Sequence, residues 1–557
     1  MKECNILIGG EAGQGLVTVG FSLAKSLVRS GYSIVVTQDY QSRIRGGHNT
    51  FVIRASVEKI HASNEKLDLL ICLNRETFDL HIKDLNPDGL VVADKEHKIS
   101  SKNLVEVPYK DLSHARFSNI ASLGVVGSLI GLDVDVIKGV VENQFAKKDE
   151  KIIKENVDVL NKSFEWSQEQ NLLNHKLDKI NSHDKNLMMN GNEAIVLGAL
   201  SAGIKFSSFY PMTPATSVSL GLVAASKKLG IIVEQAEDEI AAINMALGAS
   251  YCGAPAIVAT SGGGFALMVE GVSLSAMIET PIVIVVSQRP GPATGLPTRT
   301  EQADLEMVLH AGHGEFPRAI FAPGSVEECF HLTRKAVEVA DKFQSPVFVL
   351  TDQFLADSYR AVAPFEDKDL NPLVTVEKHI SNKKPYERFK ISEDGISPRL
   401  FPGLSENLVV VDSDEHTPDG HLTEDLKVRV DMMHKRMKKM DGIKKEVVAP
   451  NYEGDTNPDL LFVAWGSTYG SVHEAVAELK GKGKKVAMLH FSQVWPLIPE
   501  NFMKYLEAAK EVVSVEGNAT GQFTKLIRRE MGFEIKKKIL RYDGLPITPE
   551  YILNKGL

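Results

Sequence analysis

Four stretches of this sequence carry residues whose type and spacing suit chemistry. In "FYPMTPATS", Phe209 to Ser217, Pro211 and Pro214 flank Thr213. A proline fixes its own backbone and pushes the preceding residue toward extended geometry, so the Thr213 hydroxyl is held stiffly at the end of an apolar run; an ordinary turn hydroxyl is the plain alternative. In "VEQAEDEIAAINMALGAS", Glu237, Asp238 and Glu239 open an apolar helix. Negative charge is favourable at a helix start, so capping competes with a working carboxylate there. Next, "VATSGGGFALMVEG" places Gly262, Gly263 and Gly264 before Phe265, letting a backbone approach a flat ligand or simply turn from strand to helix. Arg289 in "VVSQRPGP" follows a strongly apolar strand, so its guanidinium is expected at the sheet edge where ligands gather, with surface salt bridging as the alternative.

Other groups invite weaker readings. His310 and His313 in "HAGHGEFPR" lack a close third metal ligand, and "DSDEHTPDGH" lacks calcium-loop spacing and reads as a polar connecting loop. Cys4, Cys72, Cys252 and Cys329 are scattered without a C-x-x-C pair, so no metal or iron–sulfur site is expected on this chain. The N-terminal "GGEAGQG" resembles a dinucleotide fingerprint, but Gly10, Gly13 and Gly15 do not reproduce G-x-G-x-x-G, and no clear acidic residue ends the second strand.

The elements that must position these groups follow from the apolar runs. At 557 residues the chain exceeds one core and suggests three to four units. Its hydrophobic fraction of 43% and charged fraction of 24% are those of globular protein, and a formal charge of -9 argues against nonspecific nucleic-acid binding. The N-terminus has one short apolar strand before a glycine loop and reads as neither signal peptide nor membrane span; a soluble cytoplasmic protein without nucleic-acid or membrane partners is expected. The opening reads as strand, glycine turn, helix, strand, the start of a βαβ unit, continued by "LDLLICL" and "GLVVAD". Six further runs, "KFSSFYP", "GIIVEQ", "APAIVATSGGG", "TPIVIVVSQ", "PRAIFAP" and "SPVFVLTDQ", predict a parallel sheet covered on both faces. The fold class is therefore α/β in three domains, with boundaries expected at 1–185, 190–370 and 456–557 and a polar connecting segment at 371–455.

Taken in order, "YPMTPATS", "EQAEDEIAAINMALGAS", "TSGGGFALM", "SQRPGPATGLPTRTEQADL" and "HAGHGEFPR" resemble the alpha subunit of 2-oxoacid:ferredoxin oxidoreductases of the 2-oxoglutarate type, and the first domain resembles the gamma subunit of the same enzymes. The resemblance covers almost the whole chain. It implies a gamma-type, coenzyme A-associated domain, a doubly wound domain binding the pyrimidine half of thiamine diphosphate, and a C-terminal domain like that of transketolase. It also implies coenzyme A-dependent decarboxylation of a 2-oxoacid with electrons passed to ferredoxin, or the reverse. Glu239 is then the carboxylate that activates the aminopyrimidine, with Glu237 as alternative and Gly262, Gly263, Gly264 and Phe265 beside the coenzyme. Thr213 and Tyr210 would touch the 2-oxoacid, Arg289 would grip its carboxylate, and Arg299 and His313 are weaker substrate candidates. In the gamma-type domain, Arg43, Arg45, Gly46 and Gly47 of "YQSRIRGGHNT" are expected to meet coenzyme A phosphates.

No G-D-G element with a following asparagine is present; "VEGNATG", from Glu516 to Gly521 after its opening valine, is nearest and wrong in order and domain. By resemblance, a beta subunit would bring Mg2+, the diphosphate half of the site and the [4Fe-4S] cluster, in a heterodimer doubled to a heterotetramer. Pyruvate, branched-chain or aryl 2-oxoacids are alternative substrates. A transketolase-like transferase without electron transfer and a non-catalytic coenzyme A-binding scaffold are alternative functions.

Overall fold

Alternation along the first strand, Glu3–Glu11, sends Ile6 and Ile8 to one face of a sheet and Leu7 to the other, and all three are buried. The computed structural model describes residues 1–41, 47–114, 117–170, 175–180, 185–373, 386–404 and 406–555. It divides into two units, one formed by Met1–Asn190, Asp357–Pro364 and Thr548–Leu557, the other by Gly191–Ala356 and Phe365–Ile547.

In the first unit an eight-stranded sheet runs Leu104–Val107, Leu85–Asp94, Leu67–Cys72, Glu3–Glu11, His48–Ser56, Ser33–Asp39, Arg360–Val362, Leu187–Met189. The half from Glu3–Glu11 outward to Leu104–Val107 is parallel. The opening βαβ unit is split: Glu3–Glu11 and Ser33–Asp39 keep a common direction, but His48–Ser56 lies between them and pairs antiparallel with both. The connecting helix, Leu16–Arg29, starts from Gly15 at φ 80° and buries Val19, Leu23 and Leu27 on the sheet. Glycine is required there by the left-handed backbone and by space, since a Cβ would stand 2.7 Å from Asn119 Nδ2.

In the second unit all six predicted runs are strands. Their sheet runs Gln493–Trp495, Ala319–Phe321, Pro346–Asp352, Ile282–Gln288, Ala256–Thr260, Phe206–Phe209, Ile232–Gln235, parallel except for the first pair. Ile282–Gln288 and Pro346–Asp352 are buried at every position, which explains why they read as continuous apolar runs rather than alternating ones. A five-stranded sheet of Asn451–Gly454, Val486–Phe491, Leu460–Trp465, Glu511–Glu516 and Lys537–Leu540 shares one apolar core with it, through Phe348, Trp465, Phe491 and Phe523.

The polar stretch before that sheet is held by charge. Its helix Leu426–Lys445 buries Lys435 and Lys439, whose ammonium groups reach the wholly buried Glu279 at 2.7 and 2.6 Å. Arg388 joins them, donating to the Glu279 carbonyl at 2.6 Å.

Candidate active site

The sheet order reverses at Phe206–Phe209, because the next strand in sequence, Ile232–Gln235, lies on one side and the following one, Ala256–Thr260, on the other. A crevice for ligands opens outside the carboxyl ends of parallel strands at such a reversal. Four adjacent carboxyl ends, at Phe209, Gln235, Thr260 and Gln288, lead directly into Tyr210 to Ser217, Glu237 to Glu239, Ser261 to Gly264 and Arg289.

The three acids have separate duties. Asp238 caps the helix Glu239–Tyr251, accepting from the Ala241 N–H at 2.7 Å. Glu237 is exposed, whereas Glu239 is only 3% exposed and its Oε1 has no hydrogen-bond partner. Burial raises the Glu239 carboxyl above its ordinary range, partly offset by a backbone hydrogen bond. Gly264 faces it: a Cβ there would collide with both Glu239 Oε1 and Thr260 Oγ1. The glycine therefore lets the Glu239 carboxyl, with its unpaired Oε1, and the Thr260 hydroxyl close onto the helix start.

The proline motif is tied into this turn. Met212 Sδ accepts from the Gly264 N–H at 3.2 Å, and Arg289 Nη1 donates to the Thr213 carbonyl at 2.7 Å. Behind the motif, Asn192 Nδ2 donates to the Pro214 carbonyl at 2.9 Å and to Ser217 Oγ at 2.7 Å. The Thr213–Pro214 peptide is cis. Thr213, Glu239, the glycine turn and Arg289 thus form one constellation linked by named contacts. Met212 is part of it through its contact with the Gly264 N–H.

Two further acids border the constellation. Asp304 Oδ2 is buried without a partner where a Cβ on Gly262 would collide with it, and the Asp304 N–H donates to Gln288 Oε1 at 2.9 Å. Burial raises Asp304 to about 6 against the pull of Arg289, and burial with the charge of Asp304 raises Glu301 to about 7. Burial also lowers Arg289, opposed by Asp304. Both acids stand in the stretch "TRTEQADL", and nothing in residue type alone separates them from solvent-facing acids.

The remaining sequence candidates are placed as follows. Tyr210 is 40% exposed at the mouth of the motif. Phe265 turns away from the crevice into the core, wholly buried against Phe348 with ring centroids 5.6 Å apart. Arg299 packs against the Gly544 turn, where a Cβ would lie 3.1 Å from its own Cβ. His313 meets Ser273 Oγ at 3.2 Å, eleven residues beyond Gly262 in the helix Gly262–Met277 and so ~16 Å along its axis from the glycine turn. The structure does not bring it to Glu239. His310 pairs with Glu306 at 3.3 Å. Glu516 is spent on the start of the helix Gln522–Met531, accepting from the N–H groups of Phe523 and Thr524, both at 2.9 Å. In the other unit, Gly47 has φ 82°, while Arg43, Arg45 and Gly46 lie outside the described residues. That unit also holds a cavity of ≈ 340 Å³ at the glycine loop, lined by Gly13, Gly15, Asp94, His97 and Asn119 among others.

The site residues fit the pyrimidine ring of thiamine diphosphate. Glu239 Oε1 and Ser261 Oγ are buried polar atoms without partners, and Gly264 lets the carboxyl lie against the turn that carries Ser261. A heteroaromatic ring with polar edge atoms would satisfy them, whereas an apolar group would leave them unpaired at a cost of roughly 1–3 kcal/mol each.

Comparison with known proteins matches three stretches of the chain. A family model described as pyruvate flavodoxin/ferredoxin oxidoreductase, thiamine diphosphate-binding, matches residues 197–435. A second, pyruvate ferredoxin/flavodoxin oxidoreductase, matches 5–166, and a third, pyruvate:ferredoxin oxidoreductase core domain II, matches 458–552. A 2-oxoacid:ferredoxin oxidoreductase subunit alpha from Sulfolobus sp is 31% identical across 97% of this chain and 94% of its own length. A 2-oxoglutarate synthase subunit KorA of Archaeoglobus fulgidus is 34% identical across 66% of this chain and 97% of its own. Among solved structures, the 2-oxoglutarate:ferredoxin oxidoreductase of Magnetococcus marinus, with 2-oxoglutarate, coenzyme A and succinyl-CoA bound, superposes with a TM-score of 0.93 at 30% identity, over 100% of this chain and 99% of that one.

Proposed function

Because the chain belongs to the 2-oxoacid:ferredoxin oxidoreductase alpha-subunit family, we propose that it works on 2-oxoglutarate with coenzyme A as acyl acceptor, in a complex with a beta subunit. The observation that carries this reading is the buried Glu239 carboxyl facing Gly264, its Oε1 without a partner, in one constellation with a Thr213 carbonyl held by Arg289. Bound thiamine diphosphate would supply the electron sink that lets carbon dioxide leave.

The chain's own residues supply the setting. Glu239 would hold a proton shared with the ring edge of the coenzyme, and burial, which raises its carboxyl above the ordinary range, favours its holding that proton. Gly264 lets that carboxyl lie close against the start of the helix Gly262–Met277, where the ring edge would meet it. Arg289, fixed on the motif by one N–H, would use the rest of its fork to bind the substrate carboxylate and aim the reacting carbonyl at Thr213. In the overall reaction the bond to the carboxylate breaks to release carbon dioxide, a bond forms to the coenzyme A sulfur, the thiol proton leaves, and two electrons pass singly to ferredoxin. A beta subunit would carry the diphosphate half of the site, Mg2+ and the iron–sulfur cluster. The solved relative's bound ligands support 2-oxoglutarate and coenzyme A; the broader name of the Sulfolobus relative favours a second reading, a wider range of 2-oxoacids.

The test is co-purification with the cellular partner, then coenzyme A-dependent reduction of viologen or ferredoxin across a panel of 2-oxoacids. Reduction confined to 2-oxoglutarate and lost in Glu239→Gln supports the reading. Reduction with pyruvate or branched-chain acids selects the wider range, and no reduction with any 2-oxoacid rejects the assignment.

A further inference from the structure

Asn192 stands behind the proline motif, wholly buried in the first turn of the helix Gly191–Ala202. Its orientation is settled by its partners. The Pro214 carbonyl can only accept, so the amide nitrogen must face it, and Nδ2 donates there at 2.9 Å and to Ser217 Oγ at 2.7 Å. Both Nδ2 hydrogens are thus spent on the motif, while Oδ1 is left buried without a partner. A side chain that only filled this space would do so better as an apolar one, without the cost of an unpaired oxygen. The pattern marks a donor placed for the motif.

The placement is built from the neighbouring strand. A Cβ on Gly191 would stand 2.5 Å from the Leu355 carbonyl oxygen, so glycine lets the helix start close against that carbonyl and carries Asn192 to the motif. Leu355 is itself fixed, its N–H donating to Asp352 Oδ1 at 3.0 Å at the end of Pro346–Asp352. That strand pairs with Ile282–Gln288, Gln288 against Asp352, and Arg289 follows directly. Two adjacent strand ends therefore deliver donors to consecutive carbonyls, Arg289 to Thr213 at 2.7 Å and Asn192 to Pro214. Between those carbonyls the peptide group is planar and the proline ring fixes φ, which leaves ψ of Pro214 as the one soft backbone torsion. The bond from Asn192 restrains it.

We propose, resting on the 2-oxoacid reading, that Asn192 is a positioning residue for that reaction: by holding the Pro214 carbonyl it completes the clamp that Arg289 begins, and so fixes the Thr213 hydroxyl at the reacting carbonyl. Without Asn192 the Pro214 carbonyl can turn, and the Thr213 backbone that carries the hydroxyl shifts with it. A misplacement of about 1 Å costs up to ~100-fold in rate. The coenzyme contacts of Glu239 come from another strand end, so coenzyme affinity should change less than turnover.

The experiment uses the complex with its partner subunit and compares wild type, Asn192→Ala, Asn192→Val, Thr213→Ala and the double variant of Asn192→Ala with Thr213→Ala. Asn192→Val fills the space with no donor, so a role in packing alone tolerates it and a positioning role does not; it takes the place of Asn192→Ala if that variant fails to assemble. In both, kcat/KM for the 2-oxoacid should fall roughly 10- to 100-fold, with the melting temperature within a few degrees of wild type. In the Thr213→Ala background the same change should cost less than about twofold, because a residue that acts through Thr213 has nothing left to position. Amide exchange of residues 212–218, read by mass spectrometry on the same samples without substrate, should quicken in both variants while that of the helix Glu239–Tyr251 stays as in wild type. Losses that multiply in the double variant, full activity in Asn192→Val, or unchanged exchange of 212–218 overturns the proposal and leaves the 2-oxoacid reading standing. A wild-type complex that reduces viologen with no 2-oxoacid rejects that reading and the role of Asn192 in that reaction with it, while the exchange still reports whether Asn192 holds the motif.

Discussion

Glu239 carries a carboxyl that folding has made harder to ionise, and this has a sign that can be measured. Its folded pKa is raised, so the folded chain binds more protons than the unfolded one between the two values, and wild type loses stability as pH rises through that interval. Glu239→Gln removes the ionisation. Its melting temperature should match wild type in acid and exceed it increasingly as pH rises past the ordinary carboxylate range, while activity falls by ~10²–10⁴-fold, the usual worth of acid–base assistance. Calorimetry across pH, set beside the viologen assay, checks both. At Gly264 the expectation is opposite for stability: Gly264→Ala forces a methyl onto Glu239 and Thr260, costing about 1–3 kcal/mol and displacing the carboxyl that would meet the coenzyme. Chemical denaturation and coenzyme binding by tryptophan or coenzyme fluorescence would register the two losses separately. Thr213, Glu239 and Arg289 were legible because each followed an apolar run in a recognisable order. Asp304 was not, because its importance lies in burial against Gly262, and its neighbours in sequence do not reveal that contact.

At the scale of elements, function depends on where four parallel strands end and which helices begin there. The helix Glu239–Tyr251 starts with Asp238 as its cap, accepting from Ala241, and that bond sets the position of the next residue, Glu239. Asp238→Ala should therefore cost ~1 kcal/mol in urea unfolding, the typical value of a lost cap, and lower activity by more than that loss of folded protein explains. Sequence placed the acids at a helix start but left capping and catalytic duties undivided between them. The division follows from geometry: an N-cap side chain bends back to the helix backbone, while the first helical residue points along the helix face, here into the buried turn. For His313, family order places its loop near the site, and helix length puts it ~16 Å along the axis from the glycine turn.

On the scale of the whole molecule, the buried charge group around Glu279 decides whether the polar segment stays attached. Burial alone would raise Glu279, but Lys439, Lys435 and Arg388 outweigh it and bring the carboxyl down to about 2, so its contribution is lost only as pH falls from the ordinary carboxylate range toward that value. Lys439 is lowered to about 8 by burial against the attraction of Glu279, so the folded state binds fewer protons than the unfolded one above that pH and this group adds stability as pH rises from about 8 toward the ordinary lysine value. Glu279→Gln leaves two ammonium groups and a guanidinium buried with no counter-charge. A loss of about 3–5 kcal/mol is expected, together with early proteolysis of the 386–446 segment, read by denaturation and limited digestion.

Composition, apolar runs and the order of short motifs were sufficient for the α/β class, six strands of the seven-stranded sheet, and the chain's family, because apolar periodicity and turn residues are local properties written into consecutive positions. The tertiary structure alone decided what joins across distance. It inserted His48–Ser56 between two strands expected to be neighbours, returned Arg360–Val362 to the first unit's sheet, and sent Gln493–Trp495 to the edge of the seven-stranded one. It also set Asp304 against Gly262 and two lysines against Glu279, 156 residues from Lys435 in the chain. Strand partners and buried charge pairs are chosen by the packing of surfaces remote in sequence, and no local pattern records which remote surface will arrive.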